Sequence, residues 1–289
     1  MPAEEISAVL VSWNVRDLLL RCIDSLKADG VTKIVVVDNV SKDDSVEAVR
    51  RSHPDVELVE LDRNTGFAGG INRAVPYTST PYVLVTTPDV YVEPGSTKAL
   101  QAVLDERPDV GFVAPRIDTP DGRLYPSVRR FPSFVDATAH AFLHFLWPSN
   151  PFSRRYKMLD WDHASARDVD WVACTHFLVR RQAWDEVGGF DEQFFMFLED
   201  VDLCWRLHEA GWKIRYEPAS VVQHEISASA DQVPYRMIAT HHRSIYRFNR
   251  KRATGVRRAL LPVIAAGLVV RTLLAWLQRA IRRKPHAAH

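Results

Sequence analysis

Two short apolar runs rich in β-branched residues, Ile6–Trp13 and Lys33–Asp38 (KIVVVD), bracket a stretch of helical period. Within that stretch Leu18, Leu19, Cys22, Ile23 and Leu26 recur on one side of a helix spanning Val15–Leu26. Apolar runs without alternation suit strands covered on both faces, and two of them joined by an amphipathic helix make a βαβ unit. The pattern continues with a helix at Ser45–Ser52, a strand at Val56–Leu61, a helix near Gly70–Val75 and a strand at Tyr82–Thr86. Alternation of this kind predicts a mostly parallel sheet in the first ~110 residues.

Beyond Gly111 the period weakens. Phe112–Pro115 reads as a strand, Pro120-Asp121-Gly122 as a turn, and residues 126–168 as loops with a short helix around Phe134–Leu146. Val172–Val179 is a further strand, and Ile214–Glu217 a short one. Asp200–Ala210 is a helix stopped by Gly211 in the left-handed cap position. Tyr235–Arg250 and Val256–Arg283 read as helices.

Lys+Arg (37) and Asp+Glu (36) nearly cancel, so nothing in the charge points to nucleic acid. The three cysteines, Cys22, Cys174 and Cys204, have neither disulfide-framework nor zinc spacing and suit a reducing compartment. Glu4 and Glu5 stand where a secretory leader would carry basic residues. The body is therefore expected in the cytoplasm.

Five groups of residues carry chemistry. Asp38-Asn39 ends the KIVVVD strand, where ligands of open α/β sheets bind; an Asx turn closing the strand explains the same residues. The run Asn64-Thr65-Gly66-Phe67-Ala68-Gly69-Gly70-Ile71-Asn72 brings small residues before a helix, where backbone N–H groups can meet a phosphate or ribose. It matches neither dinucleotide nor P-loop spacing, and a plain turn fits equally. Asp89, in Thr87-Pro88-Asp89-Val90, lies at a strand end where a carboxylate can hold a divalent cation against phosphates, or simply make a turn. Glu199, Asp200 and Asp202 open a helix behind the apolar stretch Phe194–Leu198. Acids there favour the helix dipole, but a carboxylate against apolar walls also has a raised pKa and can act as a base. His224 is the fifth, a lone histidine with a structural reading beside its ligand one.

In this order the segments VVVDNVSKDDS (35–45), NTGFAGGIN (64–72), TPDV (87–90) and VGGFDEQFFMFLEDVDLCWRLHEAGW (187–212), with His224, resemble glycosyltransferase family 2, the inverting enzymes of GT-A fold. YPSVRRFPS (125–133) and FLWPSNPFSRRY (145–156) resemble its actinobacterial rhamnosyltransferases, which use dTDP-rhamnose and act on N-acetylglucosaminyl-diphosphoryl-polyprenol. The resemblance implies a Rossmann-like α/β fold with a C-terminal helical extension. It implies a nucleotide-sugar pocket from Ser12, Asn14, Asp38, Asn39, Asn64, Gly66, Phe67, Gly69, Asn72, Thr87 and Asp89. A divalent cation, Mg²⁺ or Mn²⁺, would sit on Asp89 and His224. Asp200 would be the catalytic base beside Glu199, and Arg129, Arg130, Trp171 and Asp202 would serve acceptor or diphosphate. Thr87 departs from the pattern, because relatives usually have Asn or Asp there and a hydroxyl is a poorer ligand. A UDP-sugar donor, an inactive binding subunit and a nucleotidyltransferase are the alternatives; SWNVRD (12–17) is not the basic loop the last would need.

The chain divides by composition into a transferase domain over 1–230 and a basic helical segment over 231–289. Ala259–Val270 is a charge-free run of twelve residues, short of the ~20 that span a bilayer, and Arg271 ends it. Arg271, Gln278 and Arg282 share a helical face, with Leu273, Leu274, Trp276, Leu277 and Ile281 elsewhere. With Arg257, Arg258, Arg283 and Lys284 flanking, this predicts an interfacial helix on an anionic membrane surface at the cytoplasmic face of the plasma membrane. A helix packed on the domain is the other reading.

Overall fold

The computed structural model describes residues 5–131, 151–225 and 232–282. The helix expected around Phe134–Leu146 lies outside them. Strands β1 (Ile6–Ser12), β2 (Lys33–Asp38), β3 (Glu57–Glu60) and β4 (Tyr82–Thr86) form a parallel half-sheet in the order β3-β2-β1-β4. Helices α1 (Arg16–Ala28), α2 (Ser45–Ser52) and α3 (Gly66–Ala74) connect them. Both faces of β1 are covered: Val9 and Val11 join one apolar cluster, Ala8 and Leu10 the other.

The second half departs from the parallel expectation. After β5 (Val90–Val92) and α4 (Ser96–Glu106), β6 (Val110–Asp118) enters the sheet. Two hairpin strands follow, β7 (Leu124–Tyr125) against β6 and β8 (Val128–Arg129), and then the short helix α5 (Pro151–Tyr156) and β9 (Arg167–Val169). The single run read at Val172–Val179 is two strands: β10 (Trp171–Val172) pairs with β8 in a separate ribbon, and β11 (His176–Arg180) inserts between β4 and β6, antiparallel to both. Helices α6 (Arg181–Val187) and α7 (Glu199–Glu209) lead to β12 (Lys213–His224), parallel to β6 and antiparallel to β5. The sheet is therefore mixed, α/β in class, with helices on both faces. Gly211 stops the α7 turn as expected, with φ +89° and its N–H donated back to the His208 carbonyl.

Helix α8 (Pro234–Arg252) packs on the sheet domain, burying Met237, His242, Ser244 and Phe248. Its anchor is Asp202, fully buried on α7. Asp202 takes Arg206 Nε at 2.7 Å and Lys251 Nζ at 2.8 Å, with Arg252 at 3.8 Å. The 231–289 segment is thus joined to the domain by a buried ion cluster. The remaining helices are α9 (Val256–Ala259) and α10 (Leu261–Arg282); Pro262 opens the latter, where its missing N–H costs nothing. Helix α10 runs antiparallel to α8, tied by Trp276 Nε1–H to the Tyr235 carbonyl (3.0 Å) and by a His242–Thr272 hydrogen bond of 2.7 Å.

Removing the carboxylate takes the acid partner from Arg206, while Lys251 keeps Asp191 and Arg252 keeps Glu209, and breaking a buried pair costs about 3–5 kcal/mol. Asp202→Ala should therefore lower the melting temperature by roughly 10 °C, at about 2–4 °C per kcal/mol in a domain of this size. A calorimetric scan unchanged from wild type would show that the cluster does not hold α8.

Candidate active site

One cavity of about 750 Å³ opens over the carboxyl ends of β1, β2 and β4 and runs beneath α7 to the α8–α10 helices. At the strand-end side, Ser12 and Asp38 are register partners on β1 and β2; both are buried and neither lines the cavity, though their neighbours Val11, Trp13 and Asn39 do. Ser12 Oγ and Asp38 Oδ1 find no hydrogen-bond partner, while Asp38 Oδ2 accepts the Ser41 N–H at 2.9 Å. Orphaned buried acceptors call for an explanation, and a ligand at the strand ends supplies one. Asn14 does not line the cavity; at φ +53° its Oδ1 accepts the Lys42 N–H (2.7 Å) and holds the loop after β2. Asn39 does line it, and joins β2 to the Gly-rich turn: Nδ2 donates to the Gly66 carbonyl (2.9 Å) and Oδ1 accepts the Thr65 N–H (3.0 Å).

The Gly-rich turn works differently from a phosphate cradle. Its N–H groups are already used: Thr65 by Asn39, Gly66 by Asn64 Oδ1 at 2.9 Å, and Phe67 by the Phe195 carbonyl at 2.9 Å. Gly66, at φ +77°, is required by contact as well, because a Cβ there would lie 2.0 Å from the Phe195 oxygen. Asn64, Gly66 and Phe67 still line the cavity. Gly69 and Asn72 do not. Gly69 fits against Thr65 and Arg73 within α3, and Asn72 exchanges two hydrogen bonds with the Phe190 backbone, 2.8 and 3.0 Å. Both serve packing of the turn.

Asp89 and His224 meet beside Thr87 at the same end. His224 Nε2 stands 3.2 Å from Asp89 Oδ2, and both side chains are nearly buried. The β5–β12 pairing, with His224 opposite Val90, makes this contact. The His224 Nδ1 and Thr87 Oγ1 atoms are buried without partners. Among the described residues no cluster of three or more His, Cys, Asp or Glu is assembled. The pair fits a cation that completes its shell with phosphate oxygens, as Mg²⁺ commonly does.

The acids of α7 form the centre. Phe197 and Leu198 both adopt left-handed backbone, φ +69° and +65°, and Leu198 caps the helix. Such geometry in two consecutive non-glycine residues costs of order 1–3 kcal/mol each and gathers at functional sites. It turns Glu199 inward, where burial and the neighbouring Asp200 charge hold its carboxyl well above the usual range. Glu199 Oε2 has no partner. Asp200 is half-buried and keeps an open face on the cavity. Burial pushes it up to about 6, against the opposing pull of backbone N–H groups and of Arg129. A carboxylate poised near neutrality beside a protonated neighbour can accept a proton.

Arg129 forms the wall facing Asp200, its guanidinium 5.8 Å from the Tyr156 ring and 5.7 Å from Trp171, with Nη1 unpartnered. Trp171 lines the cavity too. Two expected residues do not. Arg130 is exposed, and only its backbone takes part, accepting Trp171 Nε1–H at 2.9 Å. Asp202 is turned away and neutralised in the ion cluster that anchors α8. Sequence reasoning passed over Trp13, Tyr156, Lys157, Arg236, His241 and Arg271, which line the cavity. Arg236 and His241 were read only as part of the helix Tyr235–Arg250, and Arg271 as part of the basic face of an interfacial helix.

The model of glycosyl transferase family 2 matches residues 7–187. The chain belongs to glycosyl transferase family 2. It is 36% identical over 276 residues to the N-acetylglucosaminyl-diphospho-decaprenol L-rhamnosyltransferase of Mycobacterium tuberculosis, covering 90% of this chain and 89% of that one. The rhamnosyltransferase WbbL of Escherichia coli K12 is 28% identical over 73% of this chain and 80% of its own. Among solved structures, the mannosyltransferase PcManGT from Pyrobaculum calidifontis, in complex with GDP-Man and Mn²⁺, superposes with a TM-score of 0.58. It is 18% identical and the match covers 97% of this chain and 81% of that one, a likeness of fold. The family match spans the strand-end half of the cavity and stops before Glu199, so the acids are placed in the site by geometry.

Activity that needs ionised Asp200 should fall tenfold per pH unit below about 6, as the raised carboxyl takes up its proton. A kcat/KM profile flat from pH 7 to 5 would remove Asp200 from the proton transfer.

Proposed function

We propose that this chain is an inverting transferase that moves rhamnose from dTDP-rhamnose to a saccharide hydroxyl on a polyprenyl-diphosphate-linked acceptor, at the cytoplasmic face of the plasma membrane in cell-wall synthesis. The observation that carries the reading is Asp200, an ionisable carboxyl of raised pKa, open to a cavity that begins at the nucleotide-binding ends of β1 and β2. The Mycobacterium tuberculosis relative, matched along nearly its whole length, supports the donor and acceptor class.

In this mechanism Ser12, Asp38 and Asn39 receive the nucleoside, and Asn64 and Phe67 wall its pocket. Asp200 accepts the proton of the acceptor hydroxyl as its oxygen attacks the anomeric carbon and the bond to the nucleoside diphosphate breaks. Glu199, protonated, keeps a second negative charge away from the base. Arg129 stabilises the carboxylate side of the transfer and offers Nη1 to the developing charge. A divalent cation held by Asp89 and His224 would neutralise the leaving diphosphate when bound. A single displacement inverts the anomeric centre.

Helix α10 supports the membrane partner. It is a continuous 22-residue helix, longer than the charge-free run suggested, and long and apolar enough to cross a bilayer. Its orientation is the reverse of a soluble surface helix. Val263, Val269, Val270, Leu273, Leu274, Leu277 and Ile281 face outward and exposed, while Arg271, Thr272 and Trp276 turn toward α8. An apolar stripe of this length on the outside, with Arg257 and Arg258 at one end, suits contact with lipid.

Incubation of the purified chain with dTDP-rhamnose and N-acetylglucosaminyl-diphosphoryl-polyprenol should yield the rhamnosylated lipid, and Asp200→Asn should lower turnover 10²–10⁴-fold with donor binding kept. Turnover with a UDP-sugar instead would change the donor, and donor binding without any transfer would make the chain a binding subunit. Excess chelator should stop transfer, and Asp89→Ala should weaken donor binding; full activity in chelator would take the cation out of the reaction.

A further inference from the structure

The cavity does not end at Asp200. It continues between α8 and α10, and the fourteen lining residues from Val233 to Arg271 include four arginines and no acid. All the acids that line the cavity, Asp89, Glu199 and Asp200, stand toward the other end. Arg252 is engaged by Glu209 at 2.9 Å and by Asp202. Arg236, on the first turn of α8, lies over the Phe195 ring at 5.3 Å, just before the residues that position the base. Arg271 lines the same part of the cavity from α10, whereas Arg257, exposed on the short helix α9, lies at the far end of the helix pair. Between these cations the wall is apolar, with Ile245, Ile264 and Leu268.

Two arginines beside an apolar sleeve are complementary to one ligand chemistry: a diphosphate esterified to a hydrocarbon chain. The placement also solves an electrostatic problem. Two diphosphates in one cavity repel strongly when water is excluded. Here the donor's lies at the Asp89–His224 end, and a separate set of cations stands beyond the base. We infer that Arg236 and Arg271 bind the diphosphate of the lipid-linked acceptor, with its first isoprenoid units along Ile245, Ile264 and Leu268. The inference rests on the lipid-linked acceptor of the proposed function and adds the site that holds it. From that sleeve the chain leaves toward the outward apolar face of α10, Val263 and Val269 being next-door positions to Ile264 and Leu268 on the helix. The saccharide between the diphosphate and Asp200 then has its hydroxyl presented to the base.

Binding to the full chain tests this without turnover, by titrating intrinsic tryptophan fluorescence with farnesyl diphosphate, farnesol, inorganic pyrophosphate and dTDP. Farnesyl diphosphate should bind more tightly than farnesol or pyrophosphate. Arg236→Gln and Arg271→Gln should each weaken it by about tenfold or more, the loss expected for a hydrogen bond to a charged group, and leave dTDP binding unchanged. Arg271→Lys should restore part of the loss. Arg257→Gln, exposed at the far end of the helix pair, should leave farnesyl diphosphate binding unchanged. Equal weakening of dTDP would assign the arginines to the donor diphosphate and overturn the inference. So would unchanged farnesyl diphosphate binding in both Arg236→Gln and Arg271→Gln. If wild type binds farnesyl diphosphate through these arginines but does not turn over dTDP-rhamnose, the proposed donor fails and the site stands.

Discussion

The structure depends on one backbone contact, the Phe195 carbonyl seated on the Gly66–Phe67 turn. Three parts of the molecule meet there. The turn lines the nucleotide end of the cavity and is fastened to β2 by Asn39. The Phe195 oxygen accepts the Phe67 N–H and leaves no room for a Cβ at position 66. The next residues run directly into the strained Phe197–Leu198 pair and the acids of α7. Ser244 of α8 donates to the Met196 carbonyl at 3.0 Å, so the C-terminal helix grips the same segment. The Gly-rich turn, the acids of α7 and helix α8 are thus positioned against each other through a four-residue span.

This arrangement explains why a destabilised feature persists. Burying two adjacent carboxyls and forcing two left-handed residues both oppose folding. The surrounding contacts over-determine the segment, and the result is a carboxyl raised toward neutrality with its open side to the cavity. A base of ordinary pKa would be ionised more fully but would accept a proton less readily. The strained pair lies where the Gly-rich turn, the acids of α7 and helix α8 converge on the cavity.

The local parts of the fold were legible. Strands β1, β2 and β4 and helices α1 and α2 follow from apolar period, because each buries faces determined by its own residues. The antiparallel second half was not, since β11 slips between β4 and β6 through long-range pairing that no local pattern encodes. Helix α4 and the division of Val172–Val179 were missed for the same reason. In the site, Asn39, Asp89, Glu199, Asp200 and His224 line one cavity, while Asp38 is buried beside it without lining it. Gly69, Asn72 and Asp202 instead hold packing: a glycine, an amide and a carboxylate read alike in sequence whether they meet a ligand or a neighbouring helix. Arg271 was read as part of the basic face of a membrane-surface helix, and only the inverted orientation of α10 turns it inward.

The central claim is that one carboxylate, Asp200, draws the proton in a single displacement with no covalent sugar–enzyme intermediate. The anomeric configuration of the product tests it most directly. Nuclear magnetic resonance of the rhamnosylated acceptor, compared with the donor, should show the anomeric centre inverted. A retained configuration would require two displacements or a front-face route, and would contradict the assignment of Asp200 as the base.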